Sequence, residues 1–336
     1  MKITVLLLRN FLLPVMLLPG NLINCKGQEQ TRVIGKSEYF EFHSNYWINL
    51  HHFLYQQAQG SQAQKLMEDG NQLLNIGEDS IRSTLSFSET EKLTSAIEYY
   101  KTHLIGRSLS ELGNMHIWLE AQSYKGPITD TIFTAVYATT LNDFSPVYKM
   151  HYWPKHNAQN SLVLNTHIGI IRQIEKEAIS RLEQLSGYSW PGIKVKVELT
   201  AYANYAGAYT VTKPGMAIFI SSLDPFSLQS EFIETVFHEG SHLLFTQESL
   251  FRSKIYFRSQ EMKMEFPKNL WHAGQFYLCG QLIKDLLKPF GTNHTLSMDL
   301  KKIFINYNKP LFRQVLEKYY KGEVSLESTV DSLLKM

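Results

Sequence analysis

A predominantly helical α+β fold follows from three observations on this sequence. Long stretches on both sides of residue 190 repeat their apolar residues at three- and four-residue steps, the period of a helix with one buried face. Between about 193 and 220 the period drops to two, as a strand with one wet face requires. The next helical stretch carries His238 and His242 one turn apart, with Glu239 between them. The expected architecture is a small, largely antiparallel sheet next to that helix, followed by a C-terminal helical subdomain.

The first 25 residues stand apart. Lys2 and Arg9 precede an apolar stretch over 11–18 that is too short to span a bilayer and reads as a secretory signal. Leu22-Ile23-Asn24-Cys25 resembles a bacterial lipobox, although Asn24 departs from the small residue usual before the cysteine. The expectation is an exported chain, either anchored to a membrane through lipid on Cys25 or soluble in the periplasm or outside the cell. Residues 26–37 read as a polar tether. The aromatic run FEFHSNYWINLHHFLY over 40–55 reads as helix, with His51 and His52 packed inside it. Ser88 and Glu91 have the spacing of a capping box that opens a helix to about 104. Further helices are expected over 131–141 and 158–185, the latter capped by Gly187. Residues 38–187 form the N-terminal helical part.

Residues 188–250 hold the sheet and the His238 helix. Ile193, Val195, Val197 and Leu199 alternate with charged residues; 205–211 and 216–220 supply two more strands around the turn at Lys213-Pro214-Gly215. The helix is expected over 229–245. In the C-terminal helical part, 251–336, residues 251–266 read as irregular. Pro267 then opens a helix to Lys288, ended by Pro289 and Gly291. Two or three amphipathic helices follow. Residues 38–336 are expected to act as one catalytic unit.

Composition narrows the function. The 336 residues include 33 basic and 31 acidic side chains, a net charge of +2, which gives no electrostatic footprint for nucleic acid. With only two cysteines, Cys25 in the leader and Cys279 in an apolar helix, no disulfide framework is indicated. Twelve histidines favour metal chemistry but also multiply accidental motifs, so context must decide.

The context is Thr235-Val236-Phe237-His238-Glu239-Gly240-Ser241-His242-Leu243-Leu244. Two imidazoles four residues apart share one helix face and can grip one divalent cation, while Glu239, adjacent to the first, reaches a metal-bound water rather than the metal. Gly240 is unusual inside a helix, where it costs about 1 kcal/mol; a small residue there lets another element approach. A third protein ligand is needed to leave one position open for water. His272 is the first choice, because an imidazole amid Trp271, Ala273 and Phe276 is costly to bury without a partner.

HEGSH, with its uncharged interior and apolar residues after it, resembles the zincin metallopeptidases and is gluzincin-like. That resemblance implies zinc, His238 and His242 as ligands, and Glu239 as general base. The usual downstream glutamate ligand makes Glu265 and Glu261 the alternatives to His272. More narrowly, FEFHSNYWINLHHFLY, YWPKHNAQN, AYANYAGAYT, FHEGSH and LWHAGQFY resemble a group of exported bacterial zinc metallopeptidases over residues 38 to about 290. The GxMEN exopeptidase motif of the aminopeptidases is absent. The implied reaction is hydrolysis of a peptide or protein substrate by zinc-bound water, with an oxyanion donor drawn from Tyr209, Tyr205, Tyr256, His156 and His151, Tyr209 first. The segment 201–211 could also pair its backbone with an extended peptide. Two other readings stay open: a non-catalytic exported zinc scaffold, for which Glu239 has no purpose, and a zinc hydrolase of a non-peptide amide.

Overall fold

The structure is a computed structural model that describes residues 33–67, 79–107, 109–122, 126–128, 135–203, 207–212 and 215–336. The leader with Cys25, the tether up to residue 32, and Tyr205 lie outside the described residues. Two short strands come first, β1 (Val33–Lys36) and β2 (Phe40–His43). The N-terminal helices are α1 (Tyr46–Met67), α2 (Asp79–Arg82), α3 (Phe87–His103), α4 (Leu109–Ala121) and α5 (Ala135–Val147). A π-helical turn over Tyr148–Tyr152 joins α5 to the long α6 (Trp153–Ser186), which ends on Gly187 in the left-handed conformation. Then come β3 (Val195–Thr200), β4 (Ala208–Val211), β5 (Ala217–Ser221), α7 (Glu231–Ser241), α8 (Leu250–Glu261) and α9 (Leu270–Leu287). The tail carries α10 (Ser297–Leu300), α11 (Pro310–Tyr320) and α12 (Leu326–Leu334). The fold is predominantly helical α+β.

The sheet is five-stranded and mixed, in the order β1-β2-β3-β5-β4. The expected antiparallel hairpin is β4–β5, and β1–β2 is antiparallel too; β2–β3 and β3–β5 run parallel. All of β5 is buried, because its apolar run Ala217-Ile218-Phe219-Ile220 faces helices on both sides. Alternation divides the core in two. Ile218 and Ile220 join Phe232, Val236, Phe237 and the α6 and α9 residues. Phe219 and Ala217, with Tyr209 and Val211 of β4, join the aromatic core of α1, α3, α4 and α5. The metal-motif helix and the aromatic helices thus cover opposite faces of one sheet.

Several boundaries differ from the sequence reading. Val33–Lys36 is not tether but an edge strand on β2. Phe40–His43 is strand rather than helix: the alternation Phe40-Glu41-Phe42-His43 is only four residues long and merges into the helical run. The helix starts at Tyr46 because the Asn45 side chain accepts from the Trp47 and Ile48 N–H groups at 3.0 and 3.2 Å. The capping box lies two residues earlier than read, Ser86 with Glu89 rather than Ser88 with Glu91. Residues 251–266 contain α8, capped by Ser249, whose hydroxyl accepts from the Arg252 N–H. Its buried face is only Phe251, Ile255 and Ser259, too narrow to show as a stripe.

Candidate metal centre

The last turn of α7 carries the motif. Helix α7 stops at Ser241 instead of running to 245; from His242 the chain tightens into i→i−3 bonds such as Leu244 N–H to Ser241 O at 2.8 Å. The start of α9 packs across that turn. Gln275 donates to the His238 carbonyl at 3.2 Å and to the Ser241 hydroxyl at 2.7 Å, pinning α9 to α7 one turn after His272. Gly240 allows the close approach expected of it. A Cβ there would lie 3.0 Å from the Phe40 ring, so α7 rests on β2 at the position of the motif itself.

His238, His242 and His272 each offer one ligand atom, and these lie within 4.8 Å of one another. His238 is buried and the other two are half-buried. The His238 and His272 Nε2 atoms face each other at 3.4 Å. Nitrogens bound tetrahedrally to zinc at about 2.0–2.1 Å stand roughly 3.4 Å apart, so the donor type and spacing fit such an ion. Burial holds all three imidazoles below their ordinary range: His238 well below, His242 down to about 3 and His272 to about 4. They are therefore neutral lone-pair donors at physiological pH. This group can hold a metal ion.

Glu239 sits beside the triad, its Oε2 3.9 Å from His242 Nε2. The Thr210 hydroxyl donates to that same oxygen at 2.5 Å. Burial raises the Glu239 carboxyl to about 7, opposed by the Thr210 hydrogen bond and the Lys301 charge. The group opens into a cavity of about 830 Å³ lined by Thr210, Thr212, Arg252, Trp271, Phe276 and Phe304, among others. Phe276 lies with its ring centroid 3.6 Å from that of His238. Phe304 covers His272 at 5.1 Å from a backbone at φ 54, a left-handed conformation that costs a bulky residue about 1 kcal/mol or more.

The other sequence candidates lie elsewhere. Tyr209 and Thr210 are neighbours on β4 and so point to opposite faces. Tyr209 turns into the aromatic core, where the His52 Nδ1–H donates to the Ile48 carbonyl at 2.8 Å, leaving His52 Nε2 to accept from the Tyr209 hydroxyl at 2.7 Å. That hydroxyl is engaged away from the triad, so Tyr209 is not the oxyanion donor expected of it. His156 is buried against Tyr148, His151 pairs with Glu89, and Tyr256 is exposed on α8 against Phe257. Glu261 pairs with Arg258 on an exposed face, and Glu265 is exposed after α8. Neither joins the metal group, because the end of α8 and the chain just after it turn these carboxylates to solvent while α9 presents His272.

Sequence reasoning missed Thr210, Gln275, Arg252 and a buried brace. Glu234 accepts from His294 Nε2 at 2.6 Å and from the Ser297 N–H at 2.8 Å, tying α7 to the chain after α9. A Glu one turn before His238 was the available signal. No protein-family model, curated protein or solved structure matches the chain.

Proposed function

We propose that the protein is a zinc-dependent hydrolase of amide bonds, a peptidase acting outside the cytoplasm. The observation that carries this reading is Glu239: a buried carboxylate oriented by Thr210 and 3.9 Å from a ligand nitrogen, facing an open cavity. A purely structural metal site has no use for such a base and fills all of its coordination positions with protein. His238, His242 and His272 would hold the ion. Zinc in that position supplies Lewis acidity, polarising a carbonyl and lowering the pKa of water.

The chain's own residues do the rest. Glu239 takes a proton from the attacking water and returns it to the leaving nitrogen. Thr210 keeps one carboxylate oxygen engaged and thereby aims the other. Phe276, Trp271 and Phe304 wall the site and strengthen its electrostatics by excluding water. Peptides suit the cavity because β4 ends the sheet and lines it through Ala208 and Thr210, with Thr212 just beyond, so an extended substrate can add along that edge. The leader and Cys25 support export, with lipid on Cys25 as the anchor. Among the described residues no helix is long and apolar enough to cross a membrane.

The test is turnover of a mixed peptide library by the zinc-loaded protein beside Glu239→Gln. Cleavage by the first alone supports the hydrolase. Zinc bound by both with cleavage by neither supports the scaffold reading instead.

A further inference from the structure

The first turn of α8 places a cation beside the metal group. Ser249 caps the helix and fixes the start of the turn. Phe251 then seats against Gly274, where a Cβ would come within 2.8 Å of its ring, so α8 is clamped to α9 two residues beyond His272. The next side chain, Arg252, consequently lies over Trp271, with its guanidinium carbon 4.0 Å from the ring centroid. Trp271 in turn stacks on His272 at 5.1 Å and meets His242 edge-on at 6.1 Å. Arg252 is thus one aromatic ring removed from two of the three metal-group imidazoles, and it lines the same cavity.

Stacking uses the face of a guanidinium and leaves its in-plane N–H fork available. That fork matches a carboxylate, which accepts two parallel bonds. Burial lowers the Arg252 pKa, and the charge of Glu248, exposed on the cavity rim, opposes that shift. Lys301, the other cation on the wall, is already committed to Asp224 at 2.8 Å. Lys301 is thus held by a direct ion pair, whereas Arg252 is held by stacking beside the metal group, with Glu248 acting on it through its charge.

We infer that Arg252, held on Trp271, is a carboxylate-binding subsite that selects substrates bearing a negative charge near the scissile bond. The inference rests on the hydrolase reading for its meaning. The carboxylate has two sources, the C-terminus of a peptide or the side chain of an acidic residue close to the cleaved amide.

The test is calorimetric titration of the full-length Glu239→Gln protein, with and without Zn2+, by three probes: N-acetyl-Ala-Phe as the free acid, the same dipeptide as the carboxamide, and N-acetyl-Ala-Asp carboxamide. At least one of the two acidic probes is expected to bind about tenfold to a hundredfold tighter than the neutral one. The free acid as the tighter binder identifies a chain terminus, and the Asp probe identifies an acidic side chain. In an added Arg252→Gln background the preference should vanish, and Arg252→Lys should restore only part of it, since a point charge lacks the fork. Equal binding of all three probes, no binding of any, or a preference that survives Arg252→Gln overturns the subsite. Library turnover by the wild-type protein is read separately: cleavage without carboxylate preference removes the subsite and keeps the hydrolase, whereas carboxylate binding without cleavage does the reverse.

Discussion

His238, His242 and His272 on one side of the sheet invite comparison with His51, His52 and His116 on the other. Both sets come from neighbouring helices, and in both burial keeps the imidazoles below their ordinary range. Rings in the second set are packed as closely as in the first, His52 on His116 at 5.0 Å and His51 against both at 5.4 Å. The difference lies in what the nitrogens face. His51 Nδ1 meets the Tyr100 and Tyr137 hydroxyls at 2.9 and 3.0 Å, and His52 Nε2 accepts from Tyr209. Among the described residues only the first set converges its nitrogens on a common point. Density of histidine is a poor guide to metal; convergence of unshared lone pairs on an open cavity is a good one.

The strongest way to sharpen that contrast is chemical. Glu239→Gln should lower turnover by about 10²- to 10⁴-fold while zinc stays bound, as loss of a general base does; steady-state rates and metal analysis check it. No substitution in the second set should separate activity from metal in this way.

Acid acts on both sets together. Each of these histidines has a folded pKa below the unfolded value near 6.5, for example about 4 for His52 and about 3 for His242. The unfolded chain then takes up protons first, so stability present above pH 6.5 is lost as pH falls toward the folded values. Glu239 has the opposite sign: raised to about 7, it makes stability fall with rising pH between about 4.5 and 7, one group against six. Urea melts of metal-free protein should weaken from pH 7 to 5, and added zinc should steepen the dependence, because protons compete for its ligands.

A smaller effect separates packing from chemistry. His52→Phe removes the shorter of the two imidazole contacts of the Tyr209 hydroxyl and the side-chain donor to the Ile48 carbonyl. It should cost about 1–3 kcal/mol in urea denaturation with zinc stoichiometry unchanged. Thr210→Val comes last: losing a bond worth about 1 kcal/mol should raise the Glu239 pKa and move the acid limb of the pH–rate profile to higher pH.

Helix α7 and the first two histidines of the group that can hold a metal were legible in sequence because HExxH states its geometry locally: a four-residue step is one turn. His272 was legible because an imidazole among apolar neighbours demands a partner. The strand Phe40–His43 was not, since its pairing is with Val195–Glu198, more than 150 residues away, and its own pattern is too short. Thr210 was hidden for a related reason. Which of Tyr209 and Thr210 faces α7 depends on β4 register, Thr210 opposite Ile218, and a shift by one residue would exchange them. Arg252 was lost with α8, whose narrow buried face shows only when α9 packs against it.

Zinc binding itself tests the central claim most directly. Chelator-treated protein titrated with Zn2+ under calorimetry should take up one equivalent in the wild type and in His116→Phe, and His272→Ala should weaken that binding by about 10²-fold or more. Undiminished affinity in His272→Ala, or loss of zinc from His116→Phe, would contradict the assignment of the metal to His238, His242 and His272.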